Sequence, residues 1–136
     1  MADAGTRAMP NYRLKSLTAE VANLTVRLAL ELPENWIVRE LGKQFIRAGC
    51  GVGANYRAAD RAQSTRDLLS KLKRVEEEAD ETLFWIEHLL SVGLPSNLVS
   101  QAKSIAARSD EILALTVAAI KTCRARLRAS RRKREP

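Results

Sequence analysis

"AGCGVGANYRAA", residues 48–59, decides the fold. Gly49, Gly51 and Gly53 alternate along it, and a glycine-rich stretch invites a phosphate-loop reading. A dinucleotide fingerprint needs a strand before its glycines and a helix after them. A Walker loop needs a Gly-Lys-Ser/Thr ending, which does not occur here. The stretch lies instead within the apolar series Val38, Leu41, Phe45, Val52 and Tyr56, whose spacing is that of one helical face. The glycines are therefore interior to a helix.

At about 100° per residue, Gly42, Gly49 and Gly53 fall within about 40° of one another. They predict a groove into which a facing helix fits, either within the bundle or in a neighbouring subunit. Gly51 points the opposite way. Each interior glycine costs roughly 1 kcal/mol against alanine, so close packing has to offset it. Asn55 lies about 140° from Gly42, at the edge of the apolar side, where a buried amide needs a hydrogen-bond partner.

Outward from this helix the same period recurs. Leu14, Leu17, Val21, Leu24 and Leu28 mark a first helix, expected over 14–32 and stopped by Pro33. Asn35 is placed to cap the second, expected over 35–62. Ser64 and Asp67 resemble a capping box opening a third helix over 64–92, with Leu68, Leu72, Val75, Ala79, Leu83, Ile86 and Leu90 inward. Gly93 ends it and Pro95 prevents its resumption. A fourth, capped by Ser96 or Asn97, is expected over 96–128, with Leu98, Ala102, Ile105, Ile112, Ile120 and Cys123 inward. Nothing alternates with period two. The fold class is all-α, an antiparallel up-down-up-down four-helix bundle, because short connections force sequential helices to be antiparallel neighbours.

Composition agrees. Hydrophobic residues make up 46% of the 136 and aromatics only 4%, a balance that favours helices over sheets. The formal net charge is +7, of which residues 124–136, "RARLRASRRKREP", carry +6. Arg124, Arg126, Arg128, Arg131, Arg132, Lys133 and Arg134 are thus candidate nucleic-acid contacts on an otherwise nearly neutral body. The expected organisation is a loose N-terminus over 1–12, the bundle over 13–128 and a basic tail over 129–136. The last four basic residues are expected to trail as disordered chain, since like charges in a block repel. With no apolar leader and no run of 18 apolar residues, the sequence predicts a cytoplasmic protein without a membrane span.

Two longer stretches add a resemblance. "QFIRAGCGVGANYRAADRAQS", residues 44–64, and "LLSKLKRVEEEADETLFWIEHLLSVGL", residues 68–94, resemble a four-helix-bundle protein family that includes the proteins encoded in intervening sequences of bacterial 23S ribosomal RNA genes. Gln44, Arg47, Ala48, Ala54 and Asn55 match its first pattern. Glu78, Ala79, Asp80, Glu81, Thr82, Trp85 and Glu87 match its second. The similarity spans about residues 12–127 and departs at Gly49 and Gly51, where many relatives carry Ala or Ser. The resemblance implies a homo-oligomer, commonly a pentamer, with no known catalytic residues. It also implies kinship with accessory proteins of reverse transcriptases in diversity-generating retroelements.

The residues themselves offer little chemistry. A di-metal bundle site needs inward Glu-x-x-His pairs on two helices. The chain has one histidine, His88, with Trp85 three residues before it. Cys50 and Cys123 have no metal-ligand spacing and read as free buried thiols. No metal or cofactor is expected, and no catalytic residue. Glu77 and Glu81 stand one turn apart and are expected to meet Arg or Lys on a neighbouring helix or subunit. Trp85 is expected to pack at the core edge or in a contact. The sequence therefore points to a non-enzymatic, oligomeric, RNA-binding bundle, accessory to a reverse transcriptase if the resemblance extends that far. A structural adaptor that recruits a protein partner is the competing reading.

Overall fold

The computed structural model describes residues 11–135 and consists of four helices: α1 (Tyr12–Glu31), α2 (Trp36–Asp60), α3 (Thr65–Ser91) and α4 (Ser96–Arg134). No strand occurs among the described residues. Most of the loose start expected over 1–12 lies outside them. Each helix packs on its sequence neighbour, and α4 closes the ring against α1. Polar pairs fix the direction of that closure: Arg13 with Glu111, Glu20 with Arg108 and Glu31 with Gln101. One number rises as the other falls, so α1 and α4 are antiparallel.

The buried positions repeat at steps of three and four. In α3 they run Thr65, Leu68, Leu72, Val75, Ala79, Thr82, Ile86 and Leu89. This is the seam pattern of helices packed nearly parallel to one another. Phe45, Leu14, Leu28, Ile86 and Ile112 are among the fully buried side chains at the centre. The expected inward residues hold, except that Leu24, Leu41, Leu83 and Leu90 are only partly buried. Their places on the seam go to Thr18, Thr25, Thr82 and Leu89.

The caps explain the boundaries. Asn11 Oδ1 accepts from Leu14 N at 2.9 Å, which starts α1 two residues before the expected Leu14. Asn35 Oδ1 accepts from Ile37 N and Val38 N, as expected. Ser64 Oγ accepts from Asp67 N, and Asp67 returns a bond to Gln63 N instead of to Ser64. Gly93 has φ +83°, the left-handed conformation that stops α3. Neither Ser96 nor Asn97 caps α4: the cap position is Pro95, whose carbonyl accepts from Leu98 N and Val99 N.

One boundary needs a larger correction. Helix α4 does not end at 128 but continues to Arg134, so the basic residues expected to trail as disordered chain are helical. Its 39 residues span about 58 Å, against about 30 Å for the 20 of α1. Cations at a helix C-terminus face the negative end of the backbone dipole, which offsets part of their mutual repulsion.

Candidate nucleic-acid interface

Cys123 is the last buried residue of α4. Beyond it the helix overhangs the bundle at the end where α2 finishes and α3 begins. The overhang has two faces. Arg126, Leu127 and Ser130 stay half-buried, and Arg134 continues their line. Arg124, Arg128 and Arg131 occur at steps of four and three and are exposed, so they form one outward stripe, flanked by exposed Arg132 and Lys133. Arg126, two residues from both Arg124 and Arg128, lies on the inner face and outside this stripe. The stripe becomes visible only once the helix is known to continue past 128.

The inner face looks onto the start of α3. Ser64, Thr65 and Arg66 with Arg126, Leu127, Ser130 and Arg134 enclose a cleft of ≈ 490 Å³. Nothing in the sequence singles out Arg66. Only the up-down connectivity, which returns α4 to the end where α3 starts, points to it.

The glycines serve helix packing. A β-carbon on Gly49 would press into the Thr25 side chain, one on Gly53 would come 2.9 Å from Ala22 Cβ, and one on Gly42 would come 3.2 Å from Leu32 Cδ1. All three face α1 and the residue that follows it, as their common stripe requires. Gly51 faces α3, where a β-carbon would lie 3.0 Å from the Glu78 carboxyl. Asn55 Nδ2 donates to Gly51 O at 2.8 Å, within its own helix. Outside the α1–α2 seam a groove of ≈ 630 Å³ remains open, lined by Ala19, Ala22, Val26, Cys50 and Ala54, with Lys15, Arg57 and Asp60 at one end.

The α2–α3 seam is polar. Glu78 carries a buried Oε2 with no hydrogen-bond partner. Burial, reinforced by the neighbouring Glu81, raises its carboxyl above the ordinary range, and Arg47 and Arg74 only partly oppose this. Glu77 and Glu81 are exposed, and neither forms an ion pair with a basic residue of a neighbouring helix among the described residues, which leaves the neighbouring-subunit half of the expectation. Trp85 is half-buried against the core, edge-on to the exposed Phe84 with ring centroids 4.8 Å apart. His88 stacks on Phe84 and its Nδ1 donates to the Phe84 carbonyl.

Cys123 is buried and Cys50 half-buried, both as free thiols held above their usual range by burial. Tyr56 is pushed up to about 12, by burial and by the nearby Asp60. Among the described residues no cluster of three or more His, Cys, Asp or Glu could hold a metal ion. No helix among them is long and apolar enough to cross a membrane.

No family model matches the chain, and no curated protein does. A solved structure does: the crystal structure of a protein of unknown function from the S23 ribosomal protein family of Bacteroides thetaiotaomicron. It is 33% identical, superposes with a TM-score of 0.66, and the match covers 79% of this chain and 98% of that one. On that identity and coverage, the chain belongs to the S23 ribosomal protein family.

Proposed function

We propose that this protein is a non-enzymatic, homo-oligomeric RNA-binding bundle, and that its basic overhang supplies the phosphate contacts. The observation that carries this reading is the outward stripe of Arg124, Arg128 and Arg131, flanked by Arg132 and Lys133 on a helix clear of the core. Six of the chain's seven net positive charges lie in its last 13 residues. A rigid row of guanidinia matches the repeating charge of a nucleic-acid backbone, and arginine also stacks on unpaired bases. The family's name links it to the ribosome, which supports RNA over DNA. Accessory service to the reverse transcriptase of a diversity-generating retroelement, in a pentameric assembly, rests on the resemblance described above.

The test is binding of an unstructured RNA as a function of salt, with the full chain and with residues 129–136 deleted. Deletion should lower affinity and flatten the salt dependence by about 0.7 log units for each phosphate that is no longer neutralised. Unchanged affinity and slope would reject the overhang as the RNA-binding element.

A second reading has its own support. At the opposite end of the bundle Leu30 is 81% exposed and Trp36 69%, with Ile37 and Val92 also exposed. The depression beside them, lined by Ala29, Leu32, Pro33, Gly42 and Ile46, lies on the same α1–α2 side as the apolar groove. Exposed apolar side chains grouped this way suit a protein partner, as the adaptor reading requires. The two readings use opposite ends of the molecule.

A further inference from the structure

The cleft beneath the overhang differs in kind from the stripe above it. Three arginines line it from two helices: Arg66 from α3, and Arg126 and Arg134 from α4. Ser130 and Leu127 of α4 line it as well. The nearest carboxylate along α3, that of Asp67, is already engaged, accepting from Lys71 Nζ at 2.8 Å and from Gln63 N at 3.0 Å. Its charge is thus matched by Lys71. Ser64 Oγ is spent on the α3 cap. Arg134 Nη2 donates to Ser130 Oγ at 3.4 Å, a bond within α4 that runs along the cleft wall.

We propose that this cleft is a phosphate clamp, in which Arg66 of α3 and Arg126 and Arg134 of α4 grip one phosphate group of a bound RNA. Guanidinium forks present paired donors that match two oxygens of a phosphate, and such charge-assisted bonds are about twice as strong as neutral ones. A clamp made by two helices fixes the position of the strand, whereas an open stripe supplies attraction with little geometry. The cleft's ≈ 490 Å³ admits a phosphate together with part of its sugar. This deepens the RNA reading above and rests on it for the identity of the ligand. The phosphate chemistry itself does not rest on that reading.

Two measurements separate the claims. In the first, inorganic phosphate is titrated into the full chain and the amide resonances of Thr65, Arg66 and Ser130 are followed by NMR. A saturable shift is expected, with affinity weakened about tenfold in Arg66→Gln, since one charge-assisted hydrogen bond is worth roughly 1.4 kcal/mol or more. Arg134→Gln, at an exposed position near the chain end, should act in the same direction. Lys73→Gln, on α3 but outside the cleft, should leave phosphate binding unchanged. In the second, an unstructured oligoribonucleotide is bound by the same proteins. Arg66→Gln should weaken binding severalfold and lower the salt slope by about 0.7. Phosphate shifts that do not saturate, or that persist unchanged in Arg66→Gln and Arg134→Gln, overturn the clamp. Phosphate binding abolished in those variants, together with no RNA binding by the full chain, leaves the clamp standing and removes the RNA reading.

Discussion

Thr25 occupies the notch that Gly49 leaves in α2. A β-carbon added to Gly49 would stand 2.8 Å from Thr25 Cβ and 2.7 Å from its Cγ2. Rotating the threonine cannot relieve the first of these clashes, because Cβ is fixed to the backbone. The close approach also leaves Thr25 Oγ1 buried without a hydrogen-bond partner. Thr18, Thr82, Ser109 and Thr116, also buried, differ in this respect: each donates to the carbonyl four residues earlier. Alanine or serine at position 49 is thus incompatible with threonine at 25 in this spacing of α1 and α2.

Gly49→Ala should therefore destabilise the bundle by about 1–3 kcal/mol, the usual cost of overpacking, despite the better helix propensity of alanine. Thr25→Ala in the same chain should recover part of the loss, since it removes two of the three clashing atoms. Gly51→Ala is the contrast. It meets only the end of the Glu78 side chain, which can swing away, so the change should be neutral or stabilising. Urea unfolding of the four proteins checks this. Equal losses at 49 and 51 would show that α1 does not seat in the glycine notch.

Glu78 makes a prediction about pH. Its carboxyl is raised in the folded state by burial and by Glu81. A raised acid binds more protons folded than unfolded, so stability falls as pH climbs from the ordinary carboxylate value through the raised one, then levels off. Glu78→Gln removes that loss and should raise Tm by a few degrees at neutral pH. The advantage should vanish in acid below the ordinary carboxylate range, where the wild-type side chain is also neutral. Asp67 and Glu111 pull the other way. Lys71 holds Asp67 below its usual value and Arg13 holds Glu111 below its own, so acidification through their lowered values costs both proteins equally. Thermal melts of the pair across pH test this. A variant less stable than wild type at neutral pH would show that Arg47 and Arg74 satisfy the carboxylate after all.

The helices and their order are legible in the sequence because apolar spacing, Pro33, Gly93 and the caps at Asn35 and Ser64 act locally. What escapes is polar or distant. Thr18, Thr25, Thr82 and Thr116 occupy seam positions that an apolar pattern skips, since three of them hide the hydroxyl against their own helix. The direction of Gly51, away from the other glycines, follows from spacing, but its neighbour Glu78 depends on the register of α3. The end of α4 is hard to place because a block of like charges argues for disorder. The helix dipole and the packing of Arg126, Leu127 and Ser130 towards the start of α3 argue the reverse. Arg66 carries no local signal of its role.

The assembly is open to direct measurement. Light scattering at micromolar concentration should give a multiple of the 15.1 kDa chain, five copies if the resemblance extends to stoichiometry. Several overhangs in one particle would act together on a single RNA, so avidity should raise weak contacts by about 10² or more. Dilution below the assembly's dissociation range should then cost RNA affinity more steeply than one-to-one binding allows. A clean monomer at all concentrations would remove both the oligomer and the avidity.

The helical form of the overhang separates geometry from charge. Ala129→Pro keeps every arginine and lysine. Proline in a helix interior removes a backbone hydrogen bond and clashes with the carbonyl four residues earlier, here that of Ala125, at a cost of about 3 kcal/mol. The helix should end near 128, releasing Arg131, Arg132, Lys133 and Arg134 from their fixed places, and circular dichroism should show a small loss of helix. Arg131 then leaves the stripe it forms with Arg124 and Arg128, and Arg134 leaves the cleft. If the rigid row recognises RNA, affinity should fall severalfold, because the released residues have to be ordered again on binding. The salt slope should change little, because the number of cations able to meet phosphates is the same. Unaltered affinity with a demonstrably broken helix would mean that the end of α4 acts as a mobile cloud of charge, and that its straight continuation past the bundle has no part in recognition.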